Sequence, residues 1–224
     1  TGLGDAMDLA WKLAAVIDGW GGTGLLESYE IERRPIAVRN VEEATRNLRR
    51  EQSLTPGDAI NQDSADGAHQ REIFRQSLFD ADVMRHHDTD GIALGYRYED
   101  SPVILPDRTS PPTDEVRDYR PTTRPGHRAP HAWINEGRST LDLFGDGLIL
   151  MSFDAPAEAS ESFLRAANSR VVPLTVIPVS QPEIAELYER RLVLVRPDGH
   201  VAWRSDAPPE DAGAVIDFVR GVRP

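Results

Sequence analysis

The feature that most constrains this chain is the rhythm of its last part, where short apolar runs alternate with helical periods from residue 126 onward. Leu148-Ile149-Leu150-Met151-Ser152-Phe153 is a nearly continuous apolar run of strand length, the mark of a strand covered on both faces. Residues 157–169 place Phe163, Leu164 and Ala167 on one side of a helix. A strand follows over 171–179, then a short helix over 182–190 opened by Pro182, whose fixed φ and missing N–H suit a first turn. Two more strands, 191–196 and 200–204, flank Pro197-Asp198-Gly199, a hairpin signal. The closing helix over 209–222 uses Val215, Ile216, Phe218 and Val219. The order is β-α-β-α-β-β-α, preceded by a short strand candidate at 132–134, and it predicts an α/β fold.

The first half reads differently. Met7, Ala10, Trp11, Ala14 and Ile17 follow the i, i+3, i+4, i+7 spacing of a helix over 4–18, and Leu9, Leu13 and Val16 fill a second face. A helix apolar nearly all round is expected to be buried in a larger body. Asp5 lies in its first turn, where a carboxylate complements the helix dipole. Residues 25–53 form a long helical stretch with a loose stripe of Leu26, Tyr29, Ile36, Val41, Ala44 and Leu48, which Pro35 should break or kink. A third helix is expected over 66–86, with Ile73, Phe74, Leu78 and Phe79 on one side, and a short strand pair over 96–105. Seven prolines between 101 and 130 mark a linker or a wrapped, extended segment. The expected units are therefore 1–55, 56–125 and 126–224.

Composition narrows the chemistry. The 224 residues contain no cysteine, which excludes disulfides, thiolate metal sites and thiol redox chemistry within this chain, and fits the cytoplasm. The formal net charge of −12 disfavours nucleic acid and anionic membrane as partners. Apolar stretches fall far short of the roughly 20 residues a membrane span needs, and no signal segment opens the chain. Lys12 is the only lysine, which reads as a bias of composition.

The opening Thr1-Gly2-Leu3-Gly4-Asp5-Ala6-Met7-Asp8-Leu9-Ala10-Trp11-Lys12-Leu13-Ala14 resembles the second flavin motif of group A flavoprotein monooxygenases, which typically reads N-T-G-x-x-D-A-x-N-L-A-W-K-L-A. Asp8 departs from the usual Asn. Tyr29-Glu30-Ile31-Glu32-Arg33-Arg34-Pro35 is similar to the family's Y-x-x-E-R-R-P, where Glu32 and Arg33 are expected to pack or form ion pairs. Residues 124–133, residues 138–145 and Leu192-Val193-Leu194-Val195-Arg196-Pro197-Asp198-Gly199-His200-Val201-Ala202-Trp203-Arg204 resemble the phenol 2-monooxygenase and 2,4-dichlorophenol 6-monooxygenase branch and the related polyketide hydroxylases. The resemblance is weakest over 55–90.

What the resemblance implies is specific. The fold is the helical tail of an FAD-binding domain followed by a thioredoxin-like domain lacking C-x-x-C: the turn after its first strand, Asp154-Ala155-Pro156-Ala157-Glu158-Ala159, has no thiol, and Arg190-Arg191 stands where redox thioredoxins carry proline. That domain is then a scaffold or an interface, packing on the rest of the protein or building a homodimer. Thr1, Gly2 and Leu3 are the cofactor-binding residues, offering backbone amides to the flavin ring. The first motif, G-x-G-x-x-G, is not in this chain, and G-D-A-x-H is expected just upstream of Thr1, so most of the flavin site and the substrate pocket should lie outside it. The full protein would use NAD(P)H to reduce FAD and hydroxylate a small aromatic substrate, phenolic or polyketide, and this stretch alone would be inactive. A rival is a non-catalytic interaction or dimerisation module, the better reading were the chain complete; another is a different flavin reaction, such as epoxidation or Baeyer–Villiger oxidation.

No catalytic side chain is assigned. His86-His87-Asp88-Thr89-Asp90 contains metal-ligand types, but adjacent histidines point apart, and no metal site is assigned there. His127 and His131 are expected to be loop hydrogen bonders, Ser139 or Thr140 a helix cap near Asp142, and Trp20, Trp133 and Trp203 core or interface aromatics.

Overall fold

The computed structural model describes residues 1–222; the side chains of Met84 and His86 lie outside the description. Helices α1 (Gly2–Ile17) and α2 (Thr23–Gln52) are joined by a five-residue turn and run antiparallel: Thr1 meets Asn40, Asp5 meets Arg33 and Lys12 meets Glu32. α2 is continuous through Pro35, which costs it one internal hydrogen bond but does not end it. α3 (Ala65–Asp80) starts where the Ser64 side chain accepts from the Gly67 N–H at 3.1 Å. A 3₁₀ turn (Val83–His87) and the single-turn α4 (Asp90–Ala93) follow.

The second half is built on a four-stranded sheet. Its strands are β3 (Leu148–Ser152), β4 (Leu174–Pro178), β5 (Leu192–Val195) and β6 (Val201–Ser205), in the order β4-β3-β5-β6. β3 and β4 are parallel, joined through α5 (Ala157–Ser169); β3–β5 and β5–β6 are antiparallel. The two-residue period sends Leu148, Leu150, Leu192 and Leu194 to one face, against Phe163 of α5 and Ile216 and Val219 of α7 (Ala212–Val219). Ile149, Met151, Val193 and Val195 face the other way, toward Ile184 and Tyr188 of α6 (Pro182–Tyr188). A short antiparallel pair, β1 (Trp133–Asn135) and β2 (Arg138–Ser139), stands apart from this sheet. Trp11, Trp20 and Leu25 from the helix pair belong to the first of these cores, so α1 and α2 sit on the sheet's helical layer.

The expected strand pair over 96–105 is not formed. That stretch belongs to an irregular strap along β6, with Leu105 N–H donating to Ala202 O at 2.9 Å and Gly126 N–H to Val201 O at 2.8 Å. Pro102 and Pro106 remove the donors a continuous ladder needs. The strap is nonetheless part of the interior, since Val103 and Ile104 are buried.

The stripes expected on the helices are also redistributed. Of Met7, Ala10, Trp11, Ala14 and Ile17 only Trp11 is buried, whereas Leu3, Met7, Leu13 and Ile17 are exposed, Ile17 at 81%. α1 instead turns Asp8, Trp11, Lys12 and Ala15 inward. On α2 the inward face is Leu25, Ser28, Glu32, Arg33, Ile36 and Glu43, while Val41 and Leu48 are exposed. Ile73 and Phe79 of α3 are exposed as well. Trp20 is core, Trp203 packs at its margin and Trp133 is exposed, edge-on to His131 at 5.0 Å.

The start of α2 is completed by the end of the chain. Gly22 N–H donates to Arg220 O at 2.6 Å and Gly24 N–H to Gly221 O at 3.0 Å, so carbonyls following α7 satisfy amides that a helix N-terminus leaves open. Gly221 has φ of +75°, and a Cβ there would overlap the Leu25 backbone nitrogen. Gly221→Ala is therefore expected to cost about 2–4 kcal/mol, combining left-handed strain with a backbone clash. Gly137→Ala, at φ +80° with nothing near its Cβ, should cost only about 1 kcal/mol. Thermal unfolding of the two variants checks the difference.

Candidate functional site

The first turn of α1 faces outward, with Thr1, Gly2 and Leu3 all exposed. Helical bonding begins with Asp5 N–H to Thr1 O at 3.0 Å, so the Gly2, Leu3 and Gly4 amides precede it and find no acceptor among the described residues. Such an end carries partial positive charge. The backbone is bare there, since a Cβ on Gly2 would meet nothing within 4 Å. Beside this turn opens a cleft of about 500 Å³ lined by Thr1, Leu3, Gly4, Arg33, Asn40 and Tyr96, among others. A second cleft, of about 650 Å³, runs along α1 past Met7, Trp11 and Trp20 to Leu141 and Phe144, and Arg128 lines both.

Beneath the turn lies a buried ionic cluster. Lys12 Nζ donates to Asp8 Oδ2 at 2.8 Å and to Glu32 Oε2 at 2.6 Å. Arg196, wholly buried at the end of β5, donates to Glu32 Oε1 at 2.6 Å, Asp8 Oδ1 at 3.1 Å and Asp198 Oδ2 at 2.5 Å. Its guanidinium also lies 5.0 Å from the Trp11 ring centroid and 5.3 Å from that of Tyr98. Ser101 donates to Glu32 from the strap, and the His200 ring lies tilted against Tyr98, their centroids 4.3 Å apart. Three carboxylates thus share Lys12 and Arg196, in space where unpaired charge is costly. Burial, with Glu32 and Asp198 close by, pushes the Asp8 carboxyl up to about 7 against the pull of Arg196 and Lys12. Burial acts the same way on Glu32, but Arg196 and Lys12 outweigh it and hold that carboxyl at about 2. Arg196 and His200 likewise hold Asp198 well below its ordinary value in spite of burial.

The other residues singled out in the sequence have simpler places. Ser139 and Asp142 form a capping box on the 3₁₀ turn Thr140–Leu143, the Ser139 N–H and hydroxyl donating to Asp142 Oδ2 at 2.6 and 2.8 Å. His127 is buried in its loop, with the Pro125 backbone as its hydrogen-bonding neighbour and no partner of good geometry at either ring nitrogen among the described residues. Burial, with Arg97 and Arg124 nearby, lowers it to about 4 and keeps the ring neutral. His87 is engaged within the chain, while His86 falls outside the described side chains. Among the described residues no three histidine or acidic side chains come together to hold a metal ion, and no helix is long and apolar enough to cross a membrane. Glu32 and Arg33 form the ion pairs expected of them. Asp8, Lys12, Tyr98, Ser101 and Arg196 were not singled out as one site; the signal within reach was an i, i+4 acid–base pair in an otherwise apolar helix.

Comparison with known proteins places both halves. Residues 1–44 match the FAD binding domain model, and residues 122–220 match the C-terminal domain of aromatic-ring hydroxylases. The FAD-dependent monooxygenase apdD of Emericella nidulans is 36% identical over 99% of this chain and 37% of its own length. The aklavinone 12-hydroxylase RdmE of Streptomyces purpurascens is 33% identical over 96% of this chain and 38% of its own. The structure of the rebeccamycin biosynthetic enzyme RebC with reduced flavin superposes with a TM-score of 0.91 at 43% identity, covering 99% of this chain and 41% of RebC. The chain thus spans about two-fifths of the length of the relatives it matches. Over nearly its whole length the chain is thus similar to FAD-dependent monooxygenases, with an FAD binding stretch at one end and the C-terminal domain of aromatic-ring hydroxylases at the other.

Proposed function

We propose that this chain is the part of an FAD- and NAD(P)H-dependent monooxygenase that closes the flavin site from one side, in a protein that hydroxylates a phenolic or polyketide aromatic substrate. The observation that carries this is the bare first turn of α1, Thr1-Gly2-Leu3-Gly4, whose three amides find no acceptor among the described residues, inside the segment matched by the FAD binding domain. Those residues fit the group. Donors fixed on a helix N-terminus suit the electron-rich side of a flavin ring, and glycines admit a ring that side chains would keep off. When bound, the flavin supplies the oxygen-activating chemistry. This chain's residues do the rest of what is assigned to them: Gly2, Leu3 and Gly4 offer N–H donors, Leu3 and Met7 give an apolar rim that excludes water, and the buried cluster keeps α1 rigid beneath them.

The sheet order, with its parallel β3–β4 pair and antiparallel β5–β6 hairpin, supports a thioredoxin-like reading of residues 126–224, with 1–55 as the flavin-side helices and 56–125 as the helix and strap between. Without a thiol that domain serves as scaffold or as a homodimer contact. The cytoplasm, where reduced nicotinamide is supplied, is the proposed site of action. Relatives named for polyketide and nitrocatechol substrates support the substrate class. The test is the visible spectrum of the purified full protein, of which this chain is a part, together with NAD(P)H oxidation. A bound-flavin band, and oxidation that speeds up with a phenolic ring present, are expected; a colourless protein that ignores NAD(P)H would leave the interaction module as the better reading.

A further inference from the structure

Arg33 is almost fully buried, yet it lines the cleft beside the first turn of α1. Its Nε donates to Asp5 Oδ1 at 2.8 Å and its Nη1 to the Tyr98 hydroxyl at 3.0 Å, and its Nη2 lies 3.5 Å from Thr1 O. Thr1 O and Asp5 are the two ends of the first hydrogen-bonded turn of the helix. The guanidinium therefore grips that turn at both ends. It is itself held by the rings of Tyr96 and Tyr98, whose centroids lie 5.3 and 5.9 Å away. Gly4 fits this arrangement, because a Cβ there would stand 2.8 Å from Arg33 Nη2.

Charge gives the contact a second role. Asp5 in the first turn cancels part of the positive end that the Gly2, Leu3 and Gly4 amides present. Pairing Asp5 with a cation restores it. A planar fork can span Asp5, Tyr98 and the Thr1 carbonyl together; an ammonium cannot.

We propose that Arg33 is a positioning residue: it aims the first-turn amides of α1 and neutralises Asp5, so that this turn favours an electron-rich ring, the reduced flavin over the oxidised. The inference rests on the flavin reading above. Arg33 touches no reacting atom and acts through Thr1 and Asp5.

The test uses Arg33→Lys and Arg33→Met, with two readouts. The first is amide hydrogen exchange at Asp5, measured on this chain without cofactor. It is expected to quicken about tenfold in both variants, as one fixed contact worth roughly 1.4 kcal/mol is lost, while Ala15 in the same helix is unchanged. The second is the ratio of affinities for reduced and oxidised FAD in the flavin-bound protein. It should fall about tenfold in Arg33→Met and less in Arg33→Lys, which keeps the charge. Arg33→Met combined with Asp5→Asn should recover most of that ratio, which a merely structural role would not produce. Unchanged exchange at Asp5 overturns the positioning role. Faster exchange with an unchanged ratio overturns the preference for the reduced ring. A wild-type protein that binds no FAD, but whose variants still exchange faster at Asp5, sinks the flavin reading and leaves the grip on the turn standing.

Discussion

Arg196→Ala is expected to lose about 3–5 kcal/mol of stability, the scale on which removing one partner of a buried ion cluster acts. Domains are stable by only about 5–15 kcal/mol, so the variant should be largely unfolded at modest urea. The reason is the company Arg196 keeps. With it gone, Asp8, Glu32 and Asp198 remain buried, with Lys12 beside the first two and the His200 ring beside the third. The same change uncouples the two halves of the chain, because Arg196 directly follows β5 while Asp8 and Glu32 stand on α1 and α2. Arg196→Met combined with Glu32→Gln and Asp198→Asn should recover much of the loss, because no carboxylate is then stranded. Urea unfolding curves of the single and combined variants give the answer. A loss below about 1 kcal/mol for the single variant would mean that water reaches the cluster.

Asp8→Asn should change how stability varies with pH. A carboxyl raised to about 7 in the folded chain binds its proton more tightly there than when unfolded. Its contribution is therefore fully present below its ordinary value near 4 and is lost as pH rises toward 7 and beyond. Relative to Asp8→Asn, the wild type is expected to lose about 1–3 kcal/mol between pH 4 and pH 8, less than the full shift implies because Lys12 and Arg196 share the charge. The difference between the two curves is the quantity to measure. His127, held neutral with its value lowered to about 4, gains stability for the wild type as pH rises through much of that window and masks Asp8 in a single curve. Glu32 and Asp198 have the opposite sign to Asp8: their depressed values support the fold above the ordinary carboxylate range and are lost in acid. Curves that run parallel from pH 4 to pH 8 would mean that Asp8 is ionised throughout. The flavin motif's usual Asn at this position is the neutral isostere of the form expected here.

How much of this was legible in the sequence depends on whether the signal was local. The run 148–153, the helix 157–169 and the Pro197-Asp198-Gly199 turn carry their own periodicity and turn chemistry, and the structure has them within a few residues. The strand pair over 96–105 failed because Pro102 and Pro106 take donors away, a local signal that the apolar residues around them overshadowed. The helix stripes failed for another reason. Period alone cannot say which face turns inward when a helix is apolar nearly all round, and α1 chose the face with Asp8 and Lys12 because partners 20 and 188 positions away meet them there. Lys12, which composition made look incidental, is wholly buried between two carboxylates. The first turn of α1 was legible through its resemblance to a flavin motif; Arg33's grip on it was not, since nothing in the spacing of 1, 5, 33 and 98 says that they meet.

The most direct measurement of the central claim is a residue-resolved amide NMR spectrum of the protein with and without FAD. The account predicts that the Gly2, Leu3 and Gly4 amides shift most, with little change along the cleft at Trp11 and Phe144. Shifts at Trp11 and Phe144 with none at Gly2, Leu3 and Gly4 would contradict it, and would move the flavin away from the first turn of α1.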